Sequence, residues 1–188
     1  MSDYRIVSPP NIVPGPVTQT FSAIPSGVAI GMEVLAIDKA AGTAAGGAAG
    51  IFEFCRGSNV ASVGQFVQIQ NGSAVLLASA NAQSNFPIGV CPSVLSATNV
   101  YGWVQVKGRV DYATHTNTGV TAGVPQYIGA TAGQVVSNAV SGQRIFGLVV
   151  PANQTVTATS VSYSYDLYRP FIPGTFNSAT ATNATNGY

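Results

Sequence analysis

Between Tyr101 and Tyr112 the chain alternates: Val104, Val106, Val110 and Tyr112 are apolar, and Gln105, Lys107, Arg109 and Asp111 are polar. A period of two sends successive side chains to opposite faces of an extended backbone, so the stretch predicts a half-buried β-strand. Gly108 interrupts the run and predicts a bulge or bend. Trp103 falls on the polar face. It either packs under a second layer of the same chain, the expected arrangement, or is covered by a neighbouring molecule.

The flanking sequence supplies partners for such a strand. Gly31–Ile37, with Val34 and Ile37 as candidate core residues, and Ile51–Cys55 read as strands, separated by a low-complexity Ala/Gly run at Ala40–Gly50 that predicts a loop. Val63–Gln70 and Ala74–Leu77 flank Asn71-Gly72, a strong short hairpin signal. Pro125–Ile128 and Gln134–Val136 flank the turn Gly129–Gly133 and predict a second hairpin. Arg144–Val150 is nearly continuous in apolar residues and reads as a strand buried on both faces. In Val156–Leu167, Val161, Tyr163, Tyr165 and Leu167 share one face, with the tyrosine hydroxyls expected to stay wet. No segment carries a 3.6-residue period. The fold class expected is all-β: a small β-sandwich or barrel of short antiparallel strands.

Both ends differ from this pattern. Four prolines between Ser8 and Pro16 forbid a helix and remove ladder donors, so residues 1–18 predict an extended Pro-rich N-terminal arm. The arm carries Tyr4, Ile6, Val7, Ile12 and Val13, and it either straps its own domain or docks on a neighbour. Residues 19–172 form the β domain, and 173–188 an extended, flexible C-terminal tail.

Charge narrows the function. Only 7% of residues are charged and the net charge is +1, so no basic field exists to hold nucleic acid or an anionic membrane. Low net charge favours association, which suits a component of an assembly. No apolar run is long enough to span a bilayer, and the first residues lack the apolar core of a signal peptide.

Chemistry is scarce. The six acidic residues are scattered, and the single histidine, His115, sits in a polar stretch where a solvated loop position is expected. One His and two distant Cys do not make a zinc cage, and no phosphate loop or nucleophile elbow is present. The expectation is a non-enzyme with no catalytic, cofactor-binding or metal-binding residues and no cofactors.

A set of short motifs in fixed order carries a resemblance. Ile88-Gly-Val-Cys91, Tyr101–Gln105, Gly108, Ala122-Gly123, Tyr127, Thr131-Ala-Gly-Gln-Val135, Gly147-Leu-Val149 and Arg169-Pro-Phe171 resemble the pattern of capsid decoration (cement) proteins of tailed bacteriophages. The resemblance covers roughly the second half of the chain. It implies a structural virion protein, made in the host cytoplasm and bound to the outer surface of the capsid, that clamps neighbouring major capsid subunits. It also implies self-association, with a trimer favoured over a dimer. The interface residues expected are Tyr4, Ile6, Val7, Ile12 and Val13 in the arm, and Trp103, Lys107 and Arg109 in the central strand. Tyr163, Tyr165, Tyr168, Arg169 and Phe171 complete them near the C-terminal end. The second reading is a receptor- or carbohydrate-binding module of a virion fibre or appendage. A single Trp weakens that reading, since sugar platforms usually offer several exposed aromatics.

Cys55 and Cys91 lie far apart with no Cys-x-x-Cys spacing, so both are expected to be free thiols. Mass spectrometry of the non-reduced protein should return the mass with both thiols intact; a Cys55–Cys91 bridge would contradict this.

Overall fold

The structure is a computed structural model and describes residues 4–8, 15–38, 49–60, 62–115, 119–137, 143–155 and 162–173. Among them there are thirteen strands and no helix. The first six are β1 (Tyr4–Ser8), β2 (Glu33–Asp38), β3 (Ala49–Arg56), β4 (Phe66–Gln70), β5 (Ser73–Leu76) and β6 (Ile88–Val90). Then come β7 (Tyr101–Thr114), β8 (Gly119–Val120), β9 (Gln126–Ile128), β10 (Val135–Val136), β11 (Arg144–Val149), β12 (Gln154–Thr155) and β13 (Ser162–Phe171). The protein is all-β, and eleven strands belong to one sheet; β8 and β12 pair separately.

The alternating stretch forms β7, and the sheet is built around it. The first half of β7 pairs with β3 and the second half with β13. Two circuits of hydrogen bonding pass through this strand. One runs β3–β5–β4–β6–β7 and returns to β3, closed by Arg56 against Ser73 and Val90 against Gln105. The other runs β7–β13–β11–β9–β10 and closes where Val135 bridges His115, the residue after β7. β2 and β1 extend the sheet from β3, and the outer edge of β1 is met by Pro16 and Val17, whose amide donates to the Tyr4 carbonyl at 3.1 Å.

Both expected hairpins form. Asn71 and Gly72 hold positive φ angles of 49° and 75° between β4 and β5, the primed-turn geometry that Asn-Gly favours. β9 and β10 pair antiparallel around Gly129–Gly133. β11 differs from expectation. Ile145 and Leu148 are buried while Arg144, Phe146 and Val149 are exposed, because this strand has a core on one face only. Ala49 and Gly50, expected in a loop, open β3 instead, since they complete the ladder with Ile37 and Ala36.

Three apolar clusters fill the molecule. Cys55, Val67, Ile69, Cys91, Val104 and Val106 lie within the first circuit. Tyr4, Val17, Val34, Phe52, Phe54 and Trp103 form a second cluster on the opposite face of β2 and β3. The third, around Phe66, Val110, Ile128, Ile145, Tyr163 and Tyr165, fills the second circuit. Trp103 is 1% exposed and packs edge-on against Phe54 at 5.0 Å between ring centroids, the intramolecular alternative of the sequence reading. Both cysteines are free and buried.

Simple alternation fails at one place in β7. Phe52 pairs with Gln105 but the adjacent Ile51 pairs with Lys107, so β7 carries one extra residue there. Neighbouring residues of β3 point to opposite faces, and so therefore do Gln105 and Lys107. Gln105 turns inward and is fully buried, although the plain period of two groups it with the exposed polar residues. Gly108 follows with φ 98°, and a Cβ there would collide with the Ala49 carbonyl oxygen. Gly108→Ala should therefore cost about 1–3 kcal/mol from backbone conformation, and more from the clash. Urea unfolding of the variant beside the parent measures the loss.

Candidate interaction face

Past the bulge, β7 presents Lys107 and Arg109 to solvent beside its neighbours. The register sets one cross-strand row of Leu35, Ile51, Lys107 and Tyr168, contributed in turn by β2, β3, β7 and β13. A second row sets Arg109 against Asp166, and Asp166 against Val149 of β11. Between the rows lies an open groove of about 250 Å³ over Gly50 and Gly108, walled by Leu35, Ile51, Leu167 and Tyr168. Gly108 can carry no side chain there, because its Cβ would fall on the Ala49 carbonyl oxygen and the Gly50 Cα.

The face gathers what this chain has least of. Its cations are Arg5, Lys107, Arg109 and Arg169. Its anions are Glu33, Glu53, Asp111 and Asp166. Of the charged residues described, only Asp38, Arg56 and Arg144 lie elsewhere. Tyr168 (61% exposed), Leu35 (39%) and Ile37 (37%) stand among these charges, with Val7 and Val149 at the two sides. An area rich in both signs and in accessible apolar side chains, on an otherwise charge-poor protein, has the makings of a protein-docking face.

Its electrostatics are organised by Arg169. A positive φ of 52° at this residue turns the chain, and the guanidinium meets Glu33 through two bonds of 2.6 and 2.7 Å. That fork lowers the Glu33 carboxyl below the ordinary carboxylate range. Glu53, directly across the ladder from Glu33, is pushed the other way by burial and then by the Glu33 charge, with Arg169 offsetting part of the rise. Arg109 donates to Asp111 at 3.0 Å.

Other expected interface residues lie inside the molecule. Tyr4 sits in the core as part of β1, its hydroxyl donating to the Arg109 carbonyl at 2.8 Å, and burial raises its phenol to about 12. The described start of the arm is thus a strap on its own domain, and Ile6 is half-buried in the same cluster. Trp103 is likewise core. Tyr163 and Tyr165 are buried, which corrects the expectation of wet hydroxyls: β13 turns that face into the second circuit, where Tyr165 packs edge-on against Phe66. Val7, Lys107, Arg109, Tyr168, Arg169 and Phe171 are exposed. Phe171 lies beside Phe146, over which the Arg144 guanidinium stacks at 4.6 Å. Ile12 and Val13 lie outside the described residues.

His115 is buried rather than solvated, stacked near Tyr163 and Tyr165, with its Nε2 3.3 Å from the Ser137 hydroxyl. No group of three or more potential metal ligands occurs among the described residues. Sequence reasoning missed Leu35, Ile51 and Asp166 as parts of the face and set Ile37 in the core with Val34, although residues three apart on a strand face opposite ways and Ile37 is exposed. Leu35 and Ile37 carried a usable signal, since they alternate with Val34 and Ala36 in a strand apolar on both faces.

Comparisons with protein-family models, with curated proteins and with solved structures return no match for this chain.

The opposite shifts of Glu33 and Glu53 predict opposite effects of pH. A lowered carboxyl stabilises the fold above its unfolded pKa, and that contribution is lost as pH falls through the folded value. A raised one carries a penalty at neutral pH that disappears on protonation. Glu33→Gln should lower the melting temperature at pH 7 and flatten the loss on acidification. Glu53→Gln should raise the melting temperature at pH 7 and lose that advantage towards pH 4. Melting curves across this range check both signs.

Proposed function

We propose that this is a structural protein of a tailed-phage virion, carried on the outer surface of the capsid, that stabilises the shell by non-covalent contact with neighbouring major capsid subunits. The observation that supports it best is the outward face over β1, β2, β3, β7 and β13, where accessible apolar residues meet eight of the eleven described charged residues of a charge-poor chain. The motif resemblance in the second half of the chain supplies the shell as the setting. Self-association belongs to the same proposal: several copies bound together reach higher avidity than one weak site allows.

The two circuits of strand pairing favour a pair of small barrels sharing β7 over a two-sheet sandwich, because hydrogen bonding runs around each cluster rather than across it. Closure of this kind leaves little open ladder for strand addition, so the protein would attach by faces and not by an edge.

Particles assembled without the protein, mixed with the purified chain and pelleted, should retain it at a fixed ratio to the shell subunit. Such particles should also withstand heating or dilution of divalent cations better than bare ones. A chain that stays in the supernatant at every concentration, or binds glycans in place of particles, overturns the proposal. Deleting residues 1–17 is a poor probe, since it removes Tyr4 and Val17 from the core.

A further inference from the structure

We infer that Asn71 is a self-modifying residue: its side-chain amide is lost as ammonia in the folded chain, and the isoaspartate that results unlatches β5 from β3. The inference is independent of the capsid reading, since it requires no particle and no partner.

The chemistry begins with the residue that follows. The chain has twelve asparagines, and only Asn71 and Asn186 precede a glycine. Glycine leaves its amide nitrogen unobstructed and its backbone angles permissive. The Gly72 nitrogen attacks the side-chain carbonyl carbon of Asn71 and a C–N bond forms. The side-chain amide nitrogen departs as ammonia, taking the proton that the Gly72 nitrogen gives up, and a cyclic imide remains. Water then opens the ring at either carbonyl. One opening gives aspartate; the other gives isoaspartate, whose main chain runs through the former side chain and is longer by one carbon. Water is the only co-reactant.

The structure leaves this reaction open at Asn71. The residue is exposed at the tip of the β4–β5 hairpin with φ 49°, and no group among the described residues bonds its side-chain amide. Asn59, Asn81 and Asn153 differ, because their side-chain oxygens are held by the Leu76, Ala78 and Ala122 amides. The peptide joining Asn71 to Gly72 is unheld as well: neither the Asn71 carbonyl nor the Gly72 N–H is hydrogen-bonded among the described residues. That peptide can flip while Gln70 and Ser73 stay paired, which converts a I′ turn to a II′ turn, and both suit a two-residue hairpin. The flip carries ψ of Asn71 to about −120°, which turns the Gly72 nitrogen to the side-chain side of the main chain.

The consequence lies at the other anchor of the turn. The Gly72 carbonyl accepts from the Arg56 amide at 2.9 Å, and beside it Arg56 pairs with Ser73 to join β3 to β5. This seam closes the first circuit. An added carbon in so short a turn displaces the Gly72 carbonyl from Arg56. Ile30 packs so closely on Gly72 that a Cβ there would overlap its methyl, so the enlarged turn has no room on that side. Aspartate at the same position keeps the backbone length and only adds a charge to a solvated tip.

The full chain, held folded for weeks at mildly alkaline pH, then digested and read by electron-transfer fragmentation, tests the reaction. Asn71 should convert to isoaspartate and aspartate, faster as pH rises because the attacking nitrogen must lose its proton. A free peptide spanning residues 66–76 sets the unrestrained rate. In hydrogen–deuterium exchange, the Arg56 amide of the separated isoaspartyl chain should exchange about tenfold or more faster than in the fresh chain, with the second circuit unchanged. Asn71→Asp should leave the Arg56 amide protected. An Asn71 that stays intact while the peptide converts completely overturns the inference. So does an isoaspartyl chain whose Arg56 amide exchanges no faster, one whose second circuit opens equally, or an Asn71→Asp chain that loses the same protection.

Discussion

Everything in this protein depends on one strand serving two enclosures. β7 lends its first half to the β3 circuit and its second half to the β13 circuit, and it lines three separate apolar clusters. A strand of strict alternation can line only two surfaces. The extra residue between Gln105 and Lys107, and a further register shift opposite Tyr163 and Tyr165, let β7 change which face looks inward as it passes between enclosures. Gly108 makes the turn possible by accepting a positive φ and by leaving room for the Ala49 carbonyl.

Bulges leave backbone groups without ladder partners, and here neutral amides meet them in place of charges. Buried Gln105 donates to the Arg109 carbonyl at 2.9 Å and accepts from the Tyr112 hydroxyl at 2.9 Å. Gln154 holds both the amide and the carbonyl of Ser164, at 2.7 and 2.8 Å, and Gln68 does the same for Gln83. Gln126 joins the Val124 carbonyl to Ser137 and the Tyr165 hydroxyl. An amide can donate and accept at once without the large desolvation cost of an ion. The low charge content therefore fits the interior, and the few charges are left for one surface.

What the sequence reveals follows from how local each signal is. The Asn71-Gly72 turn, the Gly129–Gly133 turn and the alternation at β7 depend on neighbours within a few residues, and each is realised. The inward turn of Gln105 depends on β3, some fifty residues earlier, so no period within β7 could reveal it. Tyr163 and Tyr165 were misplaced for a related reason: alternation shows that they share a face, and only the closure through β11, β9 and β10 shows that this face is enclosed. The docking face is assembled from strands far apart in sequence, and Arg169 reaches Glu33 across 136 positions. Composition announces the scarcity of charge; only the sheet register shows where the charges meet.

Sharing a strand also orders the steps of folding. β3 and β7 can pair once residues up to Thr114 exist, but the second half of β7 waits for β13, the last strand described. The two most extensive pairings, β7 with β3 and β7 with β13, join segments distant in sequence, and such contacts form slowly because chain closure precedes their reward. During synthesis, Val110 and Ala113 face an unfinished enclosure until residues 162–171 arrive. A chain stalled before Ser162 would expose that apolar side of β7 together with an unpaired ladder, the combination that invites aggregation.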